Sequence, residues 1–269
     1  MSYPSSKLFL HDHPVSSYAQ KIRLALREKD IPFDKATPKS LGSGQAVPDL
    51  ESANPRIEVP ALEDGDFKIF DSTIIMAYLE EKYPATPLLP QGAKARAEAR
   101  MIEEVVDTHY EAINWGYGEV VWAQRATGDL KDKLLKEIAS QTSTIQLWLA
   151  EKLGDKPYFN GDVFGYADIC VAPVLNRSVH YGLELATQSL VQWLARIKDR
   201  QTVNETFAEM EEGAKNMSAM MKQFFVEGPG KREYRDHRLE WMIKSGGLSV
   251  VEEGLKKGNV RFGWPRASF

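Results

Sequence analysis

The chain holds a single cysteine, Cys170. Alone it can neither close an internal disulfide nor build a zinc site, so a disulfide-stapled miniprotein and a zinc module are both excluded. Long apolar runs are also missing. The densest, Ile169 to Leu175, is short and broken by Pro173, far below the roughly 18 residues of a spanning helix. No membrane span is therefore expected. The opening MSYPSSK lacks the basic-then-apolar order of a secretory signal, which sets the expectation at a cytoplasmic protein. There is no internal repeat, no low-complexity segment and no glycine or proline excess. With 269 residues, 43% of them hydrophobic and 27% charged, the chain reads as an ordinary globular protein of more than one domain.

An overall basic excess is lacking too: 34 Lys and Arg against 38 Asp and Glu give a net charge of −4. From Ala214 onward there are 11 basic and 6 acidic residues, a net of +5, which leaves −9 on the first 213. An acidic body argues against a nucleic-acid partner. The basic tail reads as a segment that folds back onto that body.

The first 85 residues alternate between strand and helix signals. Lys7–His11 reads as a buried strand, and Ser16–Lys29 shows helical spacing through Tyr18, Ile22, Ala25 and Leu26. Asp30-Ile31-Pro32 ends that helix and Phe33 opens a weaker strand. The stretch from Thr37 to Ile57, with Gly42-Ser43-Gly44, reads as loop with room for one short helix. Pro60–Leu62 and Phe67–Phe70 flank a hairpin turn, and Asp71–Tyr83 carries the stripe Ile74, Ile75, Tyr78 and Leu79. After Pro84-Ala85-Thr86-Pro87 strand signals nearly vanish. Helices are expected at Ala93–Arg125, Leu130–Leu153, Tyr166–Tyr181, Ser189–Ile197 and Thr202–Met217. Alternating elements followed by a run of helices imply domains at 1–85 and 86–216, with a helical extension at 217–269 packed on the body.

Three places could carry chemistry. Ser16-Ser17 opens a helix, where free N–H groups and the helix dipole stabilise an anion such as a thiolate. Capping alone is the commoner use of serine there. Val59-Pro60 suits a cis peptide that turns the Val59 backbone outward toward an extended peptide, or else a plain strand-initiating proline. Asp71-Ser72 offers a carboxylate and a hydroxyl to an amino-acid-like zwitterion, or again two good caps. His11-Asp12-His13 lacks a third ligand, so no metal is expected. Cys170 lies on an apolar stripe and reads as core.

The order and spacing of these signals resemble the glutathione S-transferase superfamily. Ser16-Ser17-Tyr18-Ala19 falls where omega-class members carry Cys-Pro-Tyr/Phe-Cys/Ala, and it is also similar to the zeta-class Ser-Ser-Cys. Asn54-Pro55, Val59-Pro60-Ala61-Leu62 and Phe70-Asp71-Ser72 resemble further family segments, as do Phe159-Asn160-Gly161-Asp162 and Ala167-Asp168-Ile169. The resemblance covers roughly residues 7 to 210. It implies an α/β thioredoxin-like N-terminal domain followed by an all-α domain. It implies glutathione as cosubstrate: Val59 before cis Pro60 for the cysteinyl part, Asp71 and Ser72 for the γ-glutamyl end, and Ser16, or by register Ser17, for the thiolate. The helix carrying Tyr110, Trp115 and Tyr117 borders the electrophile pocket in this family, so these three could line it; packing between helices is the other reading. The expected function is glutathione transfer to a small electrophile, with isomerisation, ether-cleaving or dehalogenating lysis, or non-catalytic binding as alternatives. A homodimer is the expected assembly. Serine in place of cysteine excludes mixed-disulfide exchange through position 16.

Overall fold

The computed structural model describes residues 7–39, 41, 47–215, 217–228, 230, 232–233 and 236–261. The Gly42-Ser43-Gly44 stretch and the apolar Phe262 and Trp264 lie outside them. The chain begins with β1 (Leu8–His11), α1 (Ser17–Glu28) and β2 (Phe33–Ala36). β1 and β2 run parallel, with Leu8 opposite Phe33. After α2 (Pro48–Ala53) come β3 (Ala61–Asp64) and β4 (Phe67–Phe70), an antiparallel hairpin turned at Gly65 with φ 65°. β3 pairs antiparallel with β1, giving the sheet order β2-β1-β3-β4.

α1 and α3 (Ser72–Lys82) lie together beneath the sheet. α1 is buried nearly all round, because the sheet covers one side and a helix of the second half covers the other. Leu50 and Ala53 of α2 form a smaller apolar cluster with Ile57 and Ala61.

The second half is helical: α4 (Ala93–Val105), α5 (Glu111–Tyr117), α6 (Gly128–Leu153), α7 (Tyr166–His180), α8 (Gln188–Lys198) and α9 (Gln201–Ala214). The expected single helix from Ala93 to Arg125 is instead broken twice by π-helical turns, Val106–Tyr110 and Gly118–Trp122. It ends at Trp122, where Ala123 N–H bonds back to the Gly118 carbonyl and Gln124 takes φ 52°. α7 runs through the centre, with Ile169, Cys170, Val171 and Leu175 buried. Asp168 accepts from the N–H groups of Phe159 (2.8 Å) and Gly165 (3.1 Å) and from Trp193 Nε1 (2.8 Å). A Cβ on Gly165 would stand 2.0 Å from Asn160 Nδ2, so a serine cap has no room there.

The last segment holds α10 (Met217–Met221), a π turn (Lys222–Val226), β5 (Arg232–Glu233), α11 (Asp236–Lys244), α12 (Leu248–Lys256) and β6 (Val260–Arg261). Met221, Phe225, Trp241, Met242, Val250 and Val251 are buried. Met220, Ile243, Leu248 and Leu255 are exposed: each lies on the outer face of its short helix. Among the described residues no helix is long and apolar enough to cross a membrane.

Candidate functional site

A cleft of about 260 Å³ opens between the thioredoxin-like part and the helices. Its first wall is the segment from Asn54 to Pro60. Asn54, buried, donates from Nδ2 to the Glu58 carbonyl (2.8 Å) and accepts from the Arg56 N–H (2.9 Å). These two bonds hold a turn in which Ile57 takes φ 55°, and they deliver Val59 to the cleft. The Val59-Pro60 peptide is cis.

The second wall is the start of α3. Asp71 is its N-cap, accepting from the N–H groups of Thr73 (3.0 Å) and Ile74 (3.4 Å). Its backbone sits at φ 75°, ψ 122°, a conformation that costs a non-glycine residue about 1–3 kcal/mol. The cap bonds and the helix dipole offset that cost. Arg56 stands 3.9 Å from the Asp71 carboxylate and lies over the Phe70 ring at 5.5 Å.

The third wall comes from the helical half, through Asp107 and Thr108 of the first π turn and Ala112 of α5. Beneath it lies a buried polar cluster. Lys21 Nζ donates to Glu103 (2.8 Å) and to Asp107. Glu103 also accepts from Thr73 Oγ1 (3.0 Å) and Tyr166 OH (2.6 Å). Burial alone would lower the Lys21 ammonium, but Asp107 and Glu103 outweigh it and hold its pKa above the ordinary value. Burial pushes the Asp107 carboxyl up to about 6, against the pull of Lys21. The cluster ties α1, α3, α4 and α7 together under the cleft. A fourth contribution comes from the last segment: Arg238 of α11 also lines the cleft.

Of the residues singled out in the sequence, Val59, Pro60, Asp71 and Ser72 meet in this one cleft. Ser16 caps α1, its Oγ accepting from the Ala19 N–H (3.3 Å), and is partly exposed. Ser17 is buried, with no partner for its Oγ among the described residues. Neither serine lines the cleft; Tyr18, one residue on, does. Tyr110, Trp115 and Tyr117, the three aromatics suggested for the electrophile pocket, are not among the residues lining this cleft. Tyr110 is fully buried and accepts from Gln146 Nε2 (2.8 Å). Tyr117 stacks on Tyr181 at 4.0 Å, and Trp115 is core. The Tyr117 hydroxyl donates to the Tyr181 carbonyl (3.2 Å). Tyr18, Asp107 and Arg238 carried no sequence signal for this role. The π turn that brings Asp107 and Thr108 to the cleft leaves the helical spacing almost untouched.

His11, Asp12 and His13 each have a separate partner. His11 Nε2 meets Glu63 at 2.8 Å, Asp12 pairs with Arg23, and His13 Nδ1 accepts from the Val15 N–H (3.2 Å). Arg23 also donates to the Pro14 carbonyl (3.1 Å), so it fixes the loop leading into Ser16.

Two family descriptions match this chain: "Glutathione S-transferase, N-terminal domain" over residues 10–87, and "Glutathione S-transferase, C-terminal domain" over residues 112–201. A glutathione S-transferase of Triticum aestivum is 31% identical over 180 residues, covering 65% of this chain and 80% of the relative. A stringent starvation protein A homolog of Haemophilus influenzae is 29% identical, covering 78% of this chain and 95% of that protein. The solved structure of a Tau class glutathione S-transferase from mango superposes with a TM-score of 0.67 at 23% identity, over 81% of this chain and 99% of the other.

Proposed function

The chain belongs to the glutathione S-transferase family, and from that premise we propose that its cleft binds glutathione and activates the thiol for transfer to a small electrophile. The backbone of Val59 pairs with the cysteinyl part. The Asp71 carboxylate faces the γ-glutamyl ammonium, while the Ser72 hydroxyl and backbone N–H take its carboxylate. Ser16 Oγ already accepts from Ala19, which leaves its hydrogen to donate to the sulfur. That hydrogen bond and the α1 dipole favour the thiolate; a drop of about two units in thiol pKa corresponds to ~2.7 kcal/mol. The thiolate then attacks the electrophile beside Thr108 and Ala112. The protein acts in the cytoplasm as a two-fold homodimer.

The observation that carries this reading is the convergence of the cis Val59-Pro60 peptide and the Asp71-capped helix on one cleft. Incubating the protein with glutathione and a panel of electrophiles, with mass detection of products, tests it and separates conjugation from isomerisation or lysis. Adducts heavier by the glutathionyl group are the expected result; isomerised or cleaved acceptors without an adduct would move the assignment. Binding without turnover is the second reading, favoured by one fact: neither Ser16 nor Ser17 lines the cleft.

A further inference from the structure

α11 crosses α5 at very short range. A Cβ on Gly116 would lie 2.6 Å from Trp241 Cζ3, so the indole rests directly on the glycine and fixes the register of α11. Three residues earlier, on the same face of the helix, Arg238 reaches the cleft that holds Val59, Asp71 and Ser72. Its guanidinium lies 5.4 Å from the centre of the Trp115 ring. Among the described residues no carboxylate pairs with it. The other guanidinium of the cleft, Arg56, already has Asp71 at 3.9 Å. Lys21 below is held by Glu103 and Asp107. Arg238 is thus a cation placed by packing, backed by an aromatic plate and, among the described residues, without a carboxylate partner.

The same helix also walls a second hollow of about 340 Å³, mostly apolar, lined by Ile113, Ile145 and Trp241. Ala112 belongs to both hollows, so they adjoin.

We propose that Arg238 is a specificity-determining residue that selects acceptors carrying a carboxylate, the acceptor's apolar body resting in the hollow beside Trp241. The inference rests on the glutathione reading above and adds the class of acceptor to it. An aryl chloride bearing a ring carboxylate illustrates the step. The glutathione sulfur attacks the chlorine-bearing carbon, the C–S bond forms, and chloride leaves with the C–Cl electron pair. The thiol proton goes to solvent, and no oxidant or reductant is needed. A guanidinium–carboxylate fork is a charge-assisted pair, stronger than a neutral hydrogen bond and demanding in geometry.

The test uses the full chain and calorimetric binding of three ligands: glutathione, its dinitrophenyl conjugate and its carboxynitrophenyl conjugate. The wild type is expected to bind the carboxylated conjugate about five- to tenfold more tightly than the dinitro one. Arg238→Gln should bring that ratio to about one while glutathione affinity changes by less than about twofold. Arg238→Lys should keep part of the preference. In turnover, the ratio of kcat/KM for chloronitrobenzoate over chlorodinitrobenzene should fall by the same factor in Arg238→Gln. An unchanged ratio with intact glutathione binding would overturn the proposal and leave the glutathione reading standing. Equal weakening of all three ligands would assign Arg238 to glutathione's own carboxylates instead, which also overturns it. No binding of glutathione to the wild type would remove both.

Discussion

Ser16 has a structural task before it has a chemical one: it caps α1 through Ala19 while Arg23 fixes the loop in front of it. Ser16→Ala is therefore expected to lower stability by about 1 kcal/mol through the lost cap. If Ser16 serves the thiolate, the same change raises the pKa of bound glutathione, read by ultraviolet titration of the complex, with a smaller effect on affinity. Ser17→Ala should leave that pKa unchanged, since Ser17 is buried; a pKa rise in Ser17→Ala alone would transfer the role. His13 provides a second residue-level outcome. Burial lowers its pKa to about 4, Asp12 opposes that, and Arg177 and Arg23 add to it. The unfolded state, with a free-histidine pKa near 6.5, then takes up more protons between those values, so stability falls as pH drops from about 6.5 to 4. Because part of the ring meets solvent, the loss attributable to His13 is about 1–3 kcal/mol. His13→Gln should flatten that part of the melting-temperature profile, and a profile parallel to wild type would contradict it.

Among elements, the first half was the more legible. The strand runs at Lys7–His11 and Phe67–Phe70 and the stripe after Asp71 are local signals, and the structure places β1, β4 and α3 there. The cis peptide and the Asp71 cap were legible because proline and N-cap chemistry act locally. The π turns were not. An inserted residue rotates the following stripe without removing it, so Asp107 and Thr108 read as ordinary helix surface. Tyr110 and Tyr117 left two readings open for the same reason: aromatic residues on a helix read alike whether they face a pocket or a neighbouring helix. Nothing in the sequence marks Lys21 as buried, because the sequence does not show that α7 covers that side of α1. Lys21→Met would strand Glu103 and Asp107 without their cation, and a loss of about 3–5 kcal/mol is expected by denaturant titration. A change within experimental error would show that the pair is not coupled as described.

For the whole molecule, the last segment matters most. Trp241 and Met242 share an apolar cluster with Ile113, Leu134 and Ile138, while Met221 and Phe225 cover Val15 beside Ser16. Neither family description extends past residue 201, so the covering segment lies beyond both. Removing residues 217–269 should expose those clusters and lower the melting temperature by several degrees, since each large side chain buried contributes about 1.5–3 kcal/mol. Glutathione binding should survive, because Asn54, Val59, Asp71 and Ser72 lie outside the segment. Light scattering of the full chain should give twice the 30.3 kDa chain mass for the proposed homodimer. The central claim is that this cleft holds glutathione, and the melting temperature measured with and without millimolar glutathione tests it most directly. A ligand present at about 100 times its dissociation constant stabilises the native state by ~2.7 kcal/mol. The wild type should therefore melt several degrees higher with glutathione, and Asp71→Ala, itself folded, should lose most of that shift. An unchanged wild-type melting temperature, or an equal shift in Asp71→Ala, would contradict the account.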